Sequence, residues 1–318
     1  MAARPDARIW AALAVVYLAW GSTFIALAIA VRDLPPLLAL AMRHLVAGAL
    51  LLAFALPRGD RKADPICRAQ IRAGIVLGFL LFALSHGTLA WAQQTVPAGV
   101  AALLAGSIPI WMAVFDRVAF GRRLRGSAYV GFVFGFLGLA FLVDPFGGGS
   151  VDRLGAIAIV LGAGTWAAGS LYSRDAPLPR RPLVSAGLAS VCGGVLLVVG
   201  SLATGELGDA VFSTEALLAV AYLIVVGSFL GFTAYVWLLQ VAPTSLVATY
   251  AYVNPIVAVF LGWLLLDEEI TLQMAVAGAA VVVSVALIVR ASGSQLEPGR
   301  GLLTRGRSAS AAASEPTA

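Results

Sequence analysis

The sequence predicts an all-α integral membrane protein with ten transmembrane helices arranged as two inverted five-helix repeats, and three observations predict it. With 60% hydrophobic and 12% charged residues and a mean hydropathy of +0.94, the chain has too little polar surface for a soluble globule of its size. Apolar runs of about 20 residues, the length needed to cross a bilayer, recur along it. The two halves also superimpose without a gap at an offset of 146 residues, placing Trp20 on Trp166, Pro36 on Pro182, Gly48 on Gly194, Trp91 on Trp237, Gln94 on Gln240, Pro97 on Pro243 and Pro109 on Pro255. Five runs fall in each half, and an odd number makes the second copy enter the membrane upside down.

The first span, 9–31, is too long for a signal peptide and has no clean small-x-small cleavage site, so it belongs to the mature protein. It carries Trp20, Ser22 and Thr23. The second, 37–56, follows Pro35-Pro36 and holds Arg43 and His44. The third, 73–92, opens with Gly74-x-x-x-Gly78, a spacing suited to close helix contact, and contains His86 with Trp91 at its outer end. A fourth, 97–115, has Pro109 at its centre, and the fifth, 127–143, carries Gly131-x-x-x-Gly135 and Gly138. Spans at 154–172, with Trp166 and Ser170, then 183–202, 216–239, 242–266, with Tyr250, Asn254 and Pro255, and 271–289 complete the second half. From Ser292 the chain is rich in Ser, Ala, Gly and Arg without periodicity, which predicts disorder. The expected organisation is a cytoplasmic N-terminus at 1–8, repeats at 9–143 and 154–290, and a cytoplasmic tail at 292–318.

Basic residues stay on the cytoplasmic side of a membrane during insertion. With the N-terminus inside, 18 of the 21 Lys and Arg are cytoplasmic, Arg32 and Arg153 are outside, and Arg43 lies in the membrane. The inversion shows in the charges, because Gly121-Arg122-Arg123-Leu124 aligns with Asp267-Glu268-Glu269-Ile270. The pI near 9.6 thus reflects topology and contact with cytoplasmic lipid, and nucleic acid is not an expected partner. Cys67 falls in a cytoplasmic loop and Cys192 within a span, which supports neither a disulfide nor a cysteine metal site.

Taken together, Trp20-Gly21-Ser22-Thr23-Phe24, an Arg within the second span after Pro35-Pro36, the central prolines of spans four and nine, and Asn254-Pro255 followed by Gly262-Trp263 and Asp267-Glu268 resemble the drug/metabolite transporter superfamily. Within it they look like the ten-helix proteins built from two EamA domains. The resemblance covers the chain to about residue 290. It implies that helices one to four and six to nine form a cavity, that five and ten brace the scaffold, that an Arg of the second helix recurs there, and that transport is outward. The family often closes its fourth span with Gly-Glu-Arg-Leu; here Arg122 replaces the acidic residue, which survives only as Glu268. Standing before Thr271, Glu268 is expected to complement the dipole of the tenth helix.

Arg43 is the one formally charged side chain placed inside the membrane, about 10 Å below the outer end of its span, and such an ion costs from about 2.5 kcal/mol upward. No Asp or Glu falls in the spans as bounded above, so its partners must be carbonyls, water, hydroxyls or an anionic group of a substrate; snorkelling outward is the alternative. His44 points about 100° away from Arg43 around the helix, so the two need not share a site. His86 is more central, and a structural hydrogen bond is the competing role. Pro109 and Pro255 deny a donor to the carbonyls of Ala105 and Ala251, breaks tolerated where they line protein or a wet cavity. Tyr250 and Asn254, four apart, share a helix face, and Asn254 is costly to bury without partners. Trp20 and Thr23 share a face with Ser22 beside them, and Trp166 lies at the equivalent depth; both Trp are too deep for interfacial anchors, a role that fits Trp91 and Trp237.

The candidate substrate-binding set is therefore Trp20, Ser22, Thr23, Arg43, His86, Trp166, Tyr250 and Asn254, with Pro109 and Pro255 as helix breaks. No phosphate-binding loop, metalloprotease motif, intramembrane carboxylate pair or catalytic triad occurs, so catalytic residues, metals and cofactors are not expected. The reading is a secondary transporter of the cytoplasmic membrane for a small polar or amphipathic metabolite, including amino acids, acting as a monomer or homodimer among membrane lipids. A multidrug exporter is the alternative within transport, although cationic drugs favour an intramembrane carboxylate. Outside transport it is a receptor or enzyme subunit on the same scaffold.

Overall fold

A computed structural model describes residues 6–58, 66–121, 126–143 and 151–293. Among them every regular element is helical and there is no strand, as a bilayer requires of a chain that must satisfy its backbone groups internally without closing a barrel. The helices are α1 (Ala7–Asp33), α2 (Pro36–Ala55), α3 (Arg68–Ala92), α4 (Ala98–Ala105 and Ile108–Phe120), α5 (Gly126–Val143), α6 (Arg153–Asp175), α7 (Pro182–Thr204), α8 (Thr214–Val241), α9 (Thr244–Val247 and Tyr250–Leu266) and α10 (Leu272–Gly293). Seven among the described residues are long and apolar enough to cross a membrane, in α1 to α4 and α6 to α8; the apolar parts of α5, α9 and α10 are shorter. The sequence led us to expect ten span-length runs. In α9 the difference has a simple cause, an interruption at Ala248–Thr249 that cuts the continuous helix to 17 residues, about 25 Å at 1.5 Å per residue.

Three other expectations change. Helix α4 runs on to Phe120, so Asp116 lies inside a helix, where its carboxylate pairs with Arg174 at 3.2 Å. Helix α10 continues to Gly293, past the expected start of the tail, and the remainder of that tail lies outside the described residues, as do Arg122, Arg123 and Leu124. Glu268 does not serve the helix that follows it. Its carboxylate accepts from Ala98 N at 2.5 Å and Gly99 N at 2.9 Å and so caps α4, because the αL turn at Asp267 (φ 55°) reverses the chain after α9. Glu206 does the same for α2, accepting from Leu37 N at 3.2 Å and Leu38 N at 2.9 Å. Each carboxylate supplies charge-assisted acceptors to donors that a helix start leaves unpaired.

Helix partners exchange under the 146-residue offset. α2 packs along α7 and α5 along α10, while α1 meets α8 and α9 just as α6 meets α3 and α4. In lipid such contacts rest on close packing more than on hydrophobic drive, and glycine permits it. A Cβ at Gly48 would stand 2.8 Å from Val191 N, and one at Gly194 would stand 2.8 Å from Leu45 N; each contact is the other displaced by the offset. Gly131 and Gly135 give the same closeness between α5 and α10, against Ser284. Equivalent helices also deform alike, since α3 widens to a π-helix over Gly78–His86 and α8 over Leu223–Leu230. Equivalent ends match as well: Gly121 (φ 64°) and Asp267 close α4 and α9 in the left-handed conformation.

Candidate functional site

The polar interior is built around α2, where Arg43 and His44 are 6% and 1% exposed. The Arg43 Nε donates to the Ser228 hydroxyl at 3.2 Å, one of the hydroxyl partners that a buried cation without a carboxylate needs. The ion pairs recorded among the described residues, Arg32–Glu215 and Arg174–Asp116, do not involve it. Beside it Gly227 leaves room for the Thr23 methyl group, because a Cβ there would lie 2.7 Å from Thr23 Cγ2, and it stands in ordinary contact with the guanidinium, 3.5 Å from Nη2. The Gly227 carbonyl accepts from Trp20 Nε1 at 3.1 Å. Thr23, Trp20 and Arg43 therefore converge on one π-helical stretch of α8, where widened turns expose backbone groups to a neighbour.

Trp20 in turn sits among Phe232, Tyr235 and Tyr250, with ring centroids at 5.7, 5.0 and 5.0 Å. Next to them the Tyr17 and Thr249 hydroxyls are hydrogen-bonded across the interruption in α9. Asn254, one turn beyond Tyr250, is 9% exposed, and its side-chain carbonyl oxygen is buried without a partner. Its backbone carbonyl closes on Gly21 of α1. An unpaired buried acceptor costs about 1–3 kcal/mol, which a donor on a bound ligand offsets.

On the other side of α2, His44 Nε2 and His86 Nδ1 are 3.1 Å apart. His44 stacks on Phe82 at 4.2 Å and His86 on Trp166 at 5.1 Å. Trp166–His86 is the counterpart of Trp20–Phe232 under the offset, so α2 separates two equivalent aromatic groups, one purely aromatic and one holding the imidazoles. The charge of Arg43 acts on both rings.

Trp20, Thr23, Arg43 and Tyr250 thus form one connected group and His86 with Trp166 another. Ser22 stands apart, on the face of α1 that also carries the exposed Leu18, bonded to the Tyr222 hydroxyl at 2.8 Å. The prolines are not alike: Pro109 is the second residue of a new helical segment after a break at Gly106–Ser107, whereas Pro255 lies inside a helix that continues through it. Sequence reasoning set His44 apart from the site and passed over Ser228, Gly227, Tyr235 and Phe232. Ser228 had a signal, as the one hydroxyl in the apolar stretch Leu223–Leu230. The meeting of His44 with His86 had none, because it depends on how α2 and α3 rotate against each other.

The model of the EamA-like transporter family matches residues 8–144 and again 153–290. The uncharacterized inner membrane transporter YedA of Escherichia coli K12 is 36% identical over 281 residues, covering 88% of this chain and 90% of that one. The uncharacterized transporter YvbV of Bacillus subtilis is 24% identical over 89% of this chain and 92% of its own. A protein of Escherichia coli K12 described as a "probable amino-acid metabolite efflux pump" is 24% identical over 81% and 86%. One solved crystal structure superimposes with a TM-score of 0.62 over 92% of this chain and all of its own, at 20% identity, which relates the folds.

Proposed function

Because the chain belongs to the EamA-like transporter family, we propose that it is a secondary transporter of the cytoplasmic membrane, moving a small polar or amphipathic metabolite outward by alternating access. Its ten helices cross the bilayer as two inverted five-helix repeats with both termini in the cytoplasm. The exchange of helix partners under the 146-residue offset supports the repeat. The name of the efflux pump above supports outward transport of amino-acid-like compounds.

The observation that carries the reading is Arg43. A buried guanidinium whose recorded bond is one hydroxyl has donors to spare and matches a carboxylate or phosphate in two-pronged fashion. Substrates bearing such a group complete the charge pair on arrival, while the Trp20 group offers aromatic faces and Asn254 an acceptor for the rest of the molecule. Amino acids have this make-up.

Comparing extracellular metabolites with and without expression identifies the substrate. In vesicles, transport per folded molecule should then fall for Arg43→Lys, which keeps the charge and loses the planar fork, and nearly vanish for Arg43→Gln. A normal rate for Arg43→Gln would remove the cavity role of this residue.

A further inference from the structure

We propose that the His44–His86 pair binds and releases the proton that couples transport to the transmembrane proton gradient, an inference that rests on the transport reading above. The chain contains just two histidines. They lie on different helices, 42 residues apart, and their ring nitrogens meet at 3.1 Å in the interior. Each neutral imidazole carries one N–H, so a pair joined by one hydrogen bond always has one bare ring nitrogen left to take a proton. His44 is sealed, with its Nδ1 buried and unpartnered, whereas His86 is partly exposed. The pair thus has an open end and a closed end.

The proton balance is simple. A proton from water adds to Nε2 of His86, the Nδ1 proton of His86 passes to Nε2 of His44, and His44 gives its Nδ1 proton to water once the opposite-facing conformation admits it. One proton enters, one leaves, and both rings end neutral with the hydrogen bond reversed. In the conformation described the Nδ1 of His44 has no acceptor, so release awaits the alternate conformation, as coupling demands.

Around the pair, α2 contributes Arg43, whose charge acts on both rings. α3 contributes Phe82, α6 the Trp166 ring and α8 the Ser228 hydroxyl on Arg43. The Cys192 thiol of α7 packs at Gly74, about three helical turns from His86. No described carboxylate acts on either imidazole. A carboxylate arriving at Arg43 offsets the positive charge beside the pair, so substrate and proton occupancy are linked, and linkage is reciprocal.

The test needs no known substrate for its first half. Full-length protein with nitrogen-15 histidine and a histidine-free affinity tag, in lipid nanodiscs, gives imidazole signals from these two residues alone. A correlation across the hydrogen bond and protonation of the two rings together as the pH is lowered are expected; rings that share no hydrogen bond, or that titrate independently or not at all, overturn the proposal. The second half uses whichever metabolite responds to expression. A protonophore should lower its net export by wild type about fivefold or more, and whatever export His86→Phe retains should not respond to the protonophore. Phenylalanine is chosen because Phe232 occupies the equivalent place against Trp20; His44→Asn serves if that variant does not accumulate. Export by these variants that matches wild type and responds equally to the protonophore overturns coupling through the pair. Joint protonation in a protein whose expression changes no metabolite overturns the transport reading, and the coupling with it, but not the proton site.

Discussion

Thr23 and Gly227 share a contact that has room for one side chain. A Cβ at Gly227 would meet Thr23 Cγ2 at 2.7 Å, while at the equivalent contact Gly169 faces Leu81 at 2.6 Å, so glycine has changed sides between the halves. Overfilling a packed interior costs about 1–3 kcal/mol. Gly227→Ala should therefore lower stability by that amount by crowding Thr23. Adding Thr23→Ser removes the methyl group and should restore most of the stability, which a thermal-shift series on the two single variants and the double variant reads directly. A double variant no better than Gly227→Ala alone would show that the methyl group is not the obstacle. At this scale the sequence exposed Arg43, since one cation in an apolar run declares itself by its cost. It did not expose Ser228 or His44, whose roles depend on partners that are distant in sequence.

Helix starts were legible from the edges of the apolar runs: α2 and α7 begin at Pro36 and Pro182 and α6 at Arg153, each one residue before the expected start. The π-helical stretches of α3 and α8 and the interruptions of α4 and α9 were not, because they answer to packing between helices and leave hydropathy unchanged. Asp152 links two elements, accepting from Thr95 Oγ1 at 2.8 Å at the end of α3 and from Gly155 N at 3.0 Å and Leu154 N at 3.3 Å at the start of α6. The Thr95 hydroxyl first, then the Gly155 and Leu154 amides, hold its carboxyl below the ordinary 3.8. A depressed carboxyl stabilises the fold above its unfolded value, and that stabilisation is lost as pH falls through the folded value. Asp152→Ala should consequently melt below wild type at pH 7, and the gap should narrow below about pH 4. An equal gap at both pH values would mean that the side chain acts here by shape alone.

The sequence offset carried over to the whole molecule as exchanged helix partners, because a repeat preserves the surfaces through which its helices pack. Orientation in the membrane rests on the basic residues alone, so it makes a separate prediction. A reporter active only outside the cytoplasm should be dark when fused at the C-terminus or after Arg58 and bright after Glu206; a bright C-terminal fusion beside a dark one after Arg58 would require an odd number of crossings. The match of Gly48–Val191 with Gly194–Leu45, both at 2.8 Å, bears on what moves. In an inverted-repeat carrier the opposite-facing state has each half assume the shape of the other, so equivalent distances trade values. Distances already equal have nothing to trade, so the proposed alternating access would make the α2–α7 seam a fulcrum. Trp20 meets Phe232 edge-on at 69° whereas Trp166 lies at 24° to His86, and those angles are unequal. The proposed rocking would thereby be written in the difference between two tryptophans, and Arg43 and His44, about one turn along α2 from Gly48, would stay near the point that turns without travelling.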